Sequence, residues 1–164
     1  GQGISATPLQ MGMALAATVN GGTYYQPTLV AGRTDGQGKY TENVPKVVTD
    51  KTVSADVSKT LVEFMQNALE KNNFLKQFSR EGYIVGGKTG TAEISRPEGG
   101  YYEDRFNGTY VGFVGGDRPE YVIMVRVDKP KIGGYAGTMA AGPIFGAAVN
   151  MLIDNFSVQA KTGQ

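Results

Sequence analysis

The residues of this chain best suited to chemistry are five consecutive ones, 88–92, which read Lys-Thr-Gly-Thr-Ala. They follow the apolar run 83–85 across two glycines, and the sequence keeps an extended character through Glu93 and Ile94. The pattern predicts a β-strand that carries a lysine, two hydroxyl groups and a glycine with no side chain to block a ligand. Such a strand suits the binding of an anionic peptide end along its edge.

Composition excludes several classes of function. The 164 residues suffice for one ordinary domain or a large piece of one. Their 16 basic and 15 acidic side chains give a net charge of +1, which provides no strong field for nucleic acid or an anionic membrane. The chain has no cysteine and no histidine, so disulfides, thiolate metal sites and every mechanism with a histidine base are excluded. Any acyl chemistry must therefore use lysine for proton transfer.

The sequence contains no recognisable targeting segment. No stretch approaches the ~20 consecutive apolar residues of a membrane span, and no signal peptide is visible. The chain opens at Gly1 without an initiator methionine, which we interpret as a cut point. These features do not locate the parent protein.

Three segments carry the apolar periodicity of amphipathic helices. The pattern predicts helices over 8–20, 54–70 and 143–156. Thr7 and Ser54 are suited to cap the first two. We expect the following apolar side chains to face the core: Leu9, Met13, Ala16 and Ala17; Val57, Leu61, Phe64, Met65 and Ala68; Ile144, Phe145, Ala148, Val149, Leu152 and Ile153.

Three strands are predicted to form an antiparallel sheet. The first contains the Lys-Thr-Gly triplet, while 108–114 and 121–127 form a hairpin around a Gly-Gly-Asp-Arg-Pro turn. Because three strands need a helix to cover one face, we expect the last helix to lie on this sheet. The predicted fold class is therefore α+β, with an antiparallel sheet flanked by helices.

The remaining segments are predicted to be less regular. Residues 23–30 are expected to be extended. The segments 33–43, 95–105 and 131–142 are predicted as loops, and 157–164 as a flexible tail.

Two interpretations of the Lys-Thr-Gly triplet compete, and the first is a nucleotide-binding P-loop. Residues 82–89 match its Gly-x-x-x-x-Gly-Lys-Thr pattern, and a later strand that ends at Asp128 resembles the one whose aspartate holds magnesium. A phosphate cradle needs a turn between its outer glycines and a helix after Lys-Thr. Here the interior is Tyr-Ile-Val, the continuation favours a strand, and Arg126 interrupts the apolar run before Asp128. Nucleotide binding is therefore the less favoured alternative.

The second interpretation is the Lys-Thr-Gly box of serine acyltransferases that use lysine in place of histidine. A bare triplet is weak support, because another copy at 161–163 has no strand around it and is interpreted as accidental. The first copy has the required context. A strand precedes it, Thr-Ala follows it, an antiparallel hairpin comes next, and an apolar helix closes the sheet.

Several further stretches match one protein family. They are Gly-Gln-Gly-Ile-Ser at 1–5, Pro-Leu-Gln-Met at 8–11, Asn-Gly-Gly at 20–22, Gly-Lys-Thr-Gly-Thr-Ala-Glu at 87–93, Tyr-Val-Gly-Phe at 110–113 and Ala-Ala-Gly-Pro-Ile-Phe at 140–145. In this order, and over nearly the whole chain, they resemble the transpeptidase domain of class B penicillin-binding proteins. Those enzymes cross-link peptidoglycan during bacterial division and elongation. The resemblance implies a partial β-lactamase/transpeptidase-like fold.

Two of the three sequence boxes of that family are missing here. No serine is followed by lysine at the third position, as in Ser-x-x-Lys, and none by asparagine at the second, as in Ser-x-Asn. Both boxes precede the Gly-Gln-Gly segment in the family. Residues 1–156 therefore resemble the C-terminal portion of a transpeptidase domain without its nucleophile-bearing half, and we expect this chain alone to be inactive.

The resemblance implies a role for each residue of the Lys-Thr-Gly strand. Lys88 would be a fixed positive charge that attracts the terminal carboxylate of the substrate or of a β-lactam and supports proton transfer. The hydroxyls of Thr89 and Thr91 would hydrogen-bond that carboxylate, and Gly90 would let the peptide lie close to the strand. The Thr91 N–H would be one of two oxyanion donors, so Lys88 and Thr91 are the catalytic candidates. The plainer alternatives are an exposed strand lysine and ordinary β-forming threonines.

By the same resemblance, the parent protein would be a serine-type D,D-transpeptidase that binds the D-Ala-D-Ala end of a stem peptide, and β-lactams, without a metal or organic cofactor. Its partners would be peptidoglycan, the missing half of the domain and other cell-wall synthesis proteins, and not nucleic acid. An upstream anchor would hold it at the extracytoplasmic face of the bacterial cell membrane. The alternative from another class is a non-catalytic wall-peptide or β-lactam-binding module, either a sensor or a degenerate homologue.

Overall fold

The computed structural model of this chain describes residues 3–131, 134 and 136–162. The elements follow one another in this order: α1 Pro8–Val19, β1 Tyr24–Tyr25, β2 Gly32–Thr34, β3 Tyr40–Glu42, β4 Val47–Thr49, α2 Ala55–Lys71, a 3-10 turn Leu75–Phe78, β5 Ile84–Ser95, β6 Tyr101–Gly115, β7 Pro119–Asp128, a π-helical turn Ala136–Ala141 and α3 Gly142–Asn155. The three long strands form one antiparallel sheet in the order β5-β6-β7, and the short strands pair as β1 with β4 and β2 with β3. This arrangement confirms the predicted α+β class.

Both predicted helix caps are present. Thr7 forms a capping box with Gln10, in which the Gln10 N–H donates to the Thr7 hydroxyl at 3.2 Å and the Thr7 N–H donates to the Gln10 side-chain oxygen at 2.8 Å. At the start of α2, the Ser54 hydroxyl accepts the N–H of Val57 at 3.3 Å. These bonds satisfy donors that the first helical turn cannot satisfy itself, and they fix where each helix begins.

The sheet has helices on both faces. One face packs against α3 through Tyr110, Val114 and Phe145, and the rings of Tyr110 and Phe145 lie 4.3 Å apart between centroids. The other face packs against α1 and α2 through Ile84 and Phe113. The sequence predicted only α3 as a cover, so the sheet is better enclosed than expected.

Each helix leaves part of its predicted apolar stripe exposed, although Ala17, Phe145 and Val149 are buried as expected. Among the positions expected in the core, Leu9, Val57, Phe64, Ala68 and Ile144 are exposed. The apolar stripe of each helix is wider than the side that touches the sheet, and periodicity does not say which part of the stripe is covered. The residues of α1 and α2 that are buried are Leu15, Ala17, Val19, Ser58 and Leu69.

Two of the predicted loops contain strands. Segment 33–43 forms most of the β2–β3 hairpin, whose turn is closed by Asp35 accepting the N–H groups of two residues that follow it. Within 95–105, strand β6 begins at Tyr101, which pairs with Ser95. Polar residues join these strands because an extended partner offers them backbone hydrogen bonds whatever their side chains.

The predicted loop 131–142 ends in the π-helical turn, which runs directly into α3, while positions 132, 133 and 135 lie outside the described residues. The combined helical segment Ala136–Asn155 has the length and mean hydropathy of a membrane span. Its side chains Phe145 and Val149 are fully buried in the cluster that packs on the sheet. We therefore assign the segment as the core helix of the fold.

Residues 157–162 are docked on the fold, which corrects the prediction of a flexible tail at 157–164. Val158 is buried, and the N–H of Lys161 donates to the carbonyl of Gly82 at 2.8 Å. Val158 and the carbonyl of Gly82 attach the segment to the fold. The mostly polar composition of the segment did not indicate either contact. The last two residues of the chain lie outside the described part.

Candidate active site

Lys88 lies within β5, a strand of 12 residues. The strand runs antiparallel to β6, with Lys88 opposite Val111 and Thr91 opposite Gly108. The prediction that the triplet lies on a strand is therefore confirmed. The nucleotide-binding alternative is wrong, because the residues after Lys88 and Thr89 stay in the strand where a phosphate cradle requires a helix.

Side-chain alternation divides the triplet between the two faces of the sheet. Lys88 and Gly90 lie on the face that meets α1 and α2, as does Gly86, on which an added Cβ would press against the backbone of α2. Thr89 and Thr91 lie on the opposite face, toward the helical segment that ends in α3. Because β5 is an outer strand of the described sheet, side chains on both faces can reach its open edge.

The open edge of β5 presents backbone groups of Thr89 and Thr91. The Lys88 ammonium bends back along its own strand and donates to the Thr89 carbonyl oxygen at 2.8 Å, which marks that carbonyl as accessible. Backbone groups of an antiparallel strand alternate in direction with a period of two, so the Thr91 N–H points to the same side as the Thr89 carbonyl. The oxyanion role of this N–H stays a prediction.

A second cation lies on the face that carries Lys88. Arg126 of β7 is opposite Thr109 of β6, which is itself opposite Gly90. The Arg126 guanidinium pairs with the Asp128 carboxylate at 2.9 Å, whereas the Lys88 ammonium has the neutral carbonyl described above as a partner. The charge of Lys88 is thus the less compensated of the two and the better placed to attract an anion.

A groove of about 620 Å³ lies over this face of the sheet. One wall is the strand 88–92 and the other is the N-terminal segment around α1, with β6 and β7 between them. The sequence motifs did not predict the wall and floor residues, and for those on β6 and β7 the only available signal was side-chain alternation within the predicted strands. These residues are Ile4, Ser5, Ala6, Pro8, Met11, Asn107, Thr109, Val111, Met124 and Arg126.

The Thr91 hydroxyl contacts the start of the helical segment that ends in α3. The N–H of Gly137 donates to Oγ1 of Thr91 at 3.1 Å. The helix start and the strands lie so close that a Cβ on Gly137 would be 2.5 Å from the carbonyl oxygen of Gly90, and a Cβ on Gly108 would collide with the carbonyl of Ala136. Glycines on both sides therefore allow the helix to begin against the strand.

Tyr110, opposite Thr89 on β6, supports the site from within the core. Burial raises the pKa of Tyr110 well above its ordinary value of 10.0, and its hydroxyl has no hydrogen-bond partner among the described residues. The side chain therefore stays protonated at neutral pH. Its contribution is packing and not acid–base chemistry.

Comparisons with known proteins agree with this geometry. A family model described as the penicillin binding protein transpeptidase domain matches residues 1–150. The chain is 34% identical over 165 residues to stage V sporulation protein D of Bacillus subtilis, covering 100% of this chain and 25% of that protein. It is 26% identical over 165 residues to the peptidoglycan D,D-transpeptidase FtsI homolog of Mesostigma viride, covering 93% of this chain and 27% of that one. The crystal structure of penicillin binding protein 3 from Mycobacterium tuberculosis complexed with ampicillin matches with a TM-score of 0.82 at 26% identity, over 99% of this chain and 38% of that chain.

The chain therefore belongs to the penicillin binding protein transpeptidase domain family, as its motifs indicated. It spans about a quarter of the length of the two sequence relatives described above. The structural match also confirms the predicted transpeptidase-like fold, of which this chain forms a part.

Proposed function

We propose that this chain is part of a peptidoglycan D,D-transpeptidase that binds penicillin and cross-links cell-wall stem peptides through a serine acyl-enzyme. The chain would supply the strand that binds the substrate carboxylate and provides one oxyanion donor, and the nucleophilic serine would come from a part of the parent protein outside residues 1–164. The observation that carries the proposal is the outer strand β5, on which Lys88, Gly90 and Thr91 meet an open edge beside the groove.

The ammonium of Lys88 is suited to receive a carboxylate. It is exposed in the groove wall, and its hydrogen-bond partner is a carbonyl of its own strand. A terminal carboxylate would replace that carbonyl, since it carries a negative charge that attracts the ammonium, whereas the carbonyl is neutral. The peptide would lie along the open edge, where Gly90 presents no side chain to obstruct it.

The proposed acylation joins the serine oxygen to the carbonyl carbon of the penultimate D-alanine and expels the terminal D-alanine as an amine. The negative charge that develops on the carbonyl oxygen would accept the N–H of Thr91, a donor worth about 3 kcal/mol in comparable transition states. Lys88 would support proton transfer at the serine hydroxyls as a fixed positive charge beside them. An amine from a neighbouring strand would then take the acyl group and release the serine.

The proposed ligands are D-Ala-D-Ala stem peptides and β-lactams. Support comes from the peptidoglycan D,D-transpeptidase homolog and from the ampicillin complex, both of which are similar to this chain. The rest of the domain would be its first partner, and other cell-wall synthesis proteins would be further partners. The site would act on the extracytoplasmic face of the bacterial cell membrane.

Labelling with a fluorescent penicillin tests the proposal on two forms of the protein. The full-length protein should be labelled covalently at a serine outside residues 1–164, whereas the chain 1–164 alone should stay unlabelled because it has no Ser-x-x-Lys. Labelling of a serine within the chain would contradict the assignment. A full-length protein that stays unlabelled would favour the non-catalytic wall-peptide or β-lactam-binding module.

The second Lys-Thr-Gly triplet offers a matched control. In the full-length protein, Lys88→Met should lower the acylation rate roughly 10- to 100-fold, since a hydrogen bond to a charged group contributes about 1.5–3 kcal/mol. Lys161→Met removes the same charge at a position that lies outside any strand, so it should change the rate by less than about twofold. Equal effects of the two substitutions would show that position 88 has no special role.

A further inference from the structure

We infer that Gly137 is a positioning residue for the proposed reaction, because its N–H holds the Thr91 hydroxyl so that the hydroxyl hydrogen is free to meet the substrate carboxylate. The inference rests on the proposed function. It assigns a task to the beginning of the helical segment Ala136–Asn155, which the Lys-Thr-Gly motif does not include.

The hydrogen bond between the two residues has only one possible direction. A backbone N–H can only donate, so the 3.1 Å contact makes Oγ1 of Thr91 the acceptor and Gly137 the donor. A threonine hydroxyl has two lone pairs and a single hydrogen. Since Gly137 occupies a lone pair, the hydrogen stays available for a carboxylate, which can only accept. Thr91 is exposed, so a ligand can reach it.

The N–H of Gly137 is available for this task because of its place in the helix. The first turn of a helix has N–H groups with no acceptor inside the helix. Gly137 is the second residue of the helical segment, and Thr91 provides the missing acceptor. The contact also places the positive end of the helix beside the edge strand, where it favours an anionic ligand.

Close approach requires glycine at position 137. A Cβ there would lie 2.5 Å from the carbonyl oxygen of Gly90 and 3.0 Å from its carbonyl carbon and its nitrogen. All three are backbone atoms of β5, so either the strand or the helix start would have to move. Gly108 allows a second close approach, to Ala136, so the helix start is fixed against two strands.

NMR spectroscopy of the chain 1–164 tests the hydrogen bond without any catalysis. In Thr91→Val, the amide proton of Gly137 should move upfield and exchange with solvent roughly fivefold faster, the equivalent of the net contribution of one hydrogen bond. Thr91→Ser keeps an acceptor and should leave the Gly137 signal close to that of the unmodified chain. An unchanged Gly137 amide in Thr91→Val would overturn the inference.

Acylation of the full-length protein by penicillin tests the positioning role. Gly137→Ala should lower the second-order rate constant roughly tenfold more when position 91 carries threonine or serine than when it carries valine, because any displacement of the backbone is common to all three backgrounds. A merely structural role would lower the rate equally in all three backgrounds and would overturn the inference. Thr138→Ala, at the next residue of the same turn, is the control and should stay within about twofold in each background.

The two measurements separate failure of this inference from failure of the proposed function. If the full-length protein is not acylated, the proposed function fails, while the Gly137 amide still reports whether Thr91 is held. If acylation proceeds and Gly137→Ala is equally harmful with valine at position 91, only the inference fails. If circular dichroism shows that Gly137→Ala does not fold, the spectra of Thr91→Val and Thr91→Ser decide the question.

Discussion

The long-stranded sheet and the segment between α1 and α2 are stabilised in opposite ways. On the sheet, Phe113 and Phe145 are fully buried between the strands and the helices. The segment 23–52, here termed the arm, forms two pairs of short strands and leaves Leu29 105% and Val44 81% accessible. Burial and close packing therefore determine the structure of the sheet, whereas the arm depends on its own hydrogen bonds.

The hydrogen bonds of the arm join its residues to one another and to its two ends. Asp35 accepts the N–H groups of Gln37 and Lys39 at 2.9 Å each, which closes one turn. The carbonyl of Gly22 accepts both the N–H and the hydroxyl of Thr52 at 2.8 Å, which ties the two ends of the arm together. Changes to apolar side chains of the arm should therefore have little effect on stability.

The largest contrast should come from truncating one apolar side chain in each region. Phe145→Ala removes a fully buried ring that packs on Tyr110, and it should lower the free energy of unfolding by about 3–5 kcal/mol because the lost ring leaves a cavity. Leu29→Ala removes an exposed side chain and should change that free energy by less than about 0.5 kcal/mol. Urea unfolding of the chain measures both. Similar losses in the free energy of unfolding for the two variants would contradict the conclusion that packing stabilises the sheet but not the arm.

Adding a methyl group should also affect the sheet and the arm differently. On Gly86, a Cβ would lie 2.6 Å from the Phe113 ring and 2.8 Å from the backbone nitrogen of Gln66, so Gly86→Ala should destabilise the fold by about 1–3 kcal/mol. On Gly36, in a turn of the arm, no described atom lies within 4 Å of the added Cβ. Gly36→Ala should therefore be neutral or stabilise by up to about 1 kcal/mol, since it restricts the unfolded chain. Urea midpoints report both, and a stabilising Gly86→Ala would show that α2 does not lie this close to β5.

The features of the fold that could be predicted are those determined by residues close together in the sequence. The helix starts at Thr7 and Ser54 were predicted correctly, because a cap bonds to residues within its own first turn. The buried side of α2 was not, since Phe64 belongs to the apolar stripe and yet is 65% accessible, while Ser58 is buried. Which side of α2 is buried depends on the position of the sheet, and the apolar periodicity of the helix carries no information about that position.

The candidate site shows the same limit. Lys88 and Thr91 were selected from five consecutive residues, because a motif on one strand is a local pattern. The donor to Thr91 is Gly137, 46 residues away, and only the packing of a helix start on the strand brings them together. Thr109 and Arg126 reach the groove through the register of three strands, which sequence alternation alone does not fix.

The C-terminal segment 157–162 combines both kinds of attachment. Val158 is buried, as on the sheet, whereas the N–H and hydroxyl of Thr162 donate to the exposed carboxylate of Asp117, as in the arm. The hydroxyl bond and then the backbone bond lower the pKa of Asp117, and the positive charge of Lys161 is a smaller cause. The segment should therefore respond to pH at this one exposed contact.

The smallest expected effect is a change in the pH dependence of stability. Because the pKa of Asp117 is lower in the folded state, its contribution to stability is complete above the unfolded value of about 3.9 and is lost as the pH falls through the folded value. Asp117→Asn should therefore flatten the fall in melting temperature below about pH 4. Thr162→Val should flatten it less, and Lys161→Gln least, in the order of their influence on the pKa of this carboxyl group. An acid-induced fall as steep in Asp117→Asn as in the unmodified chain would show that the exposed bond does not attach the segment, leaving Val158 as its anchor.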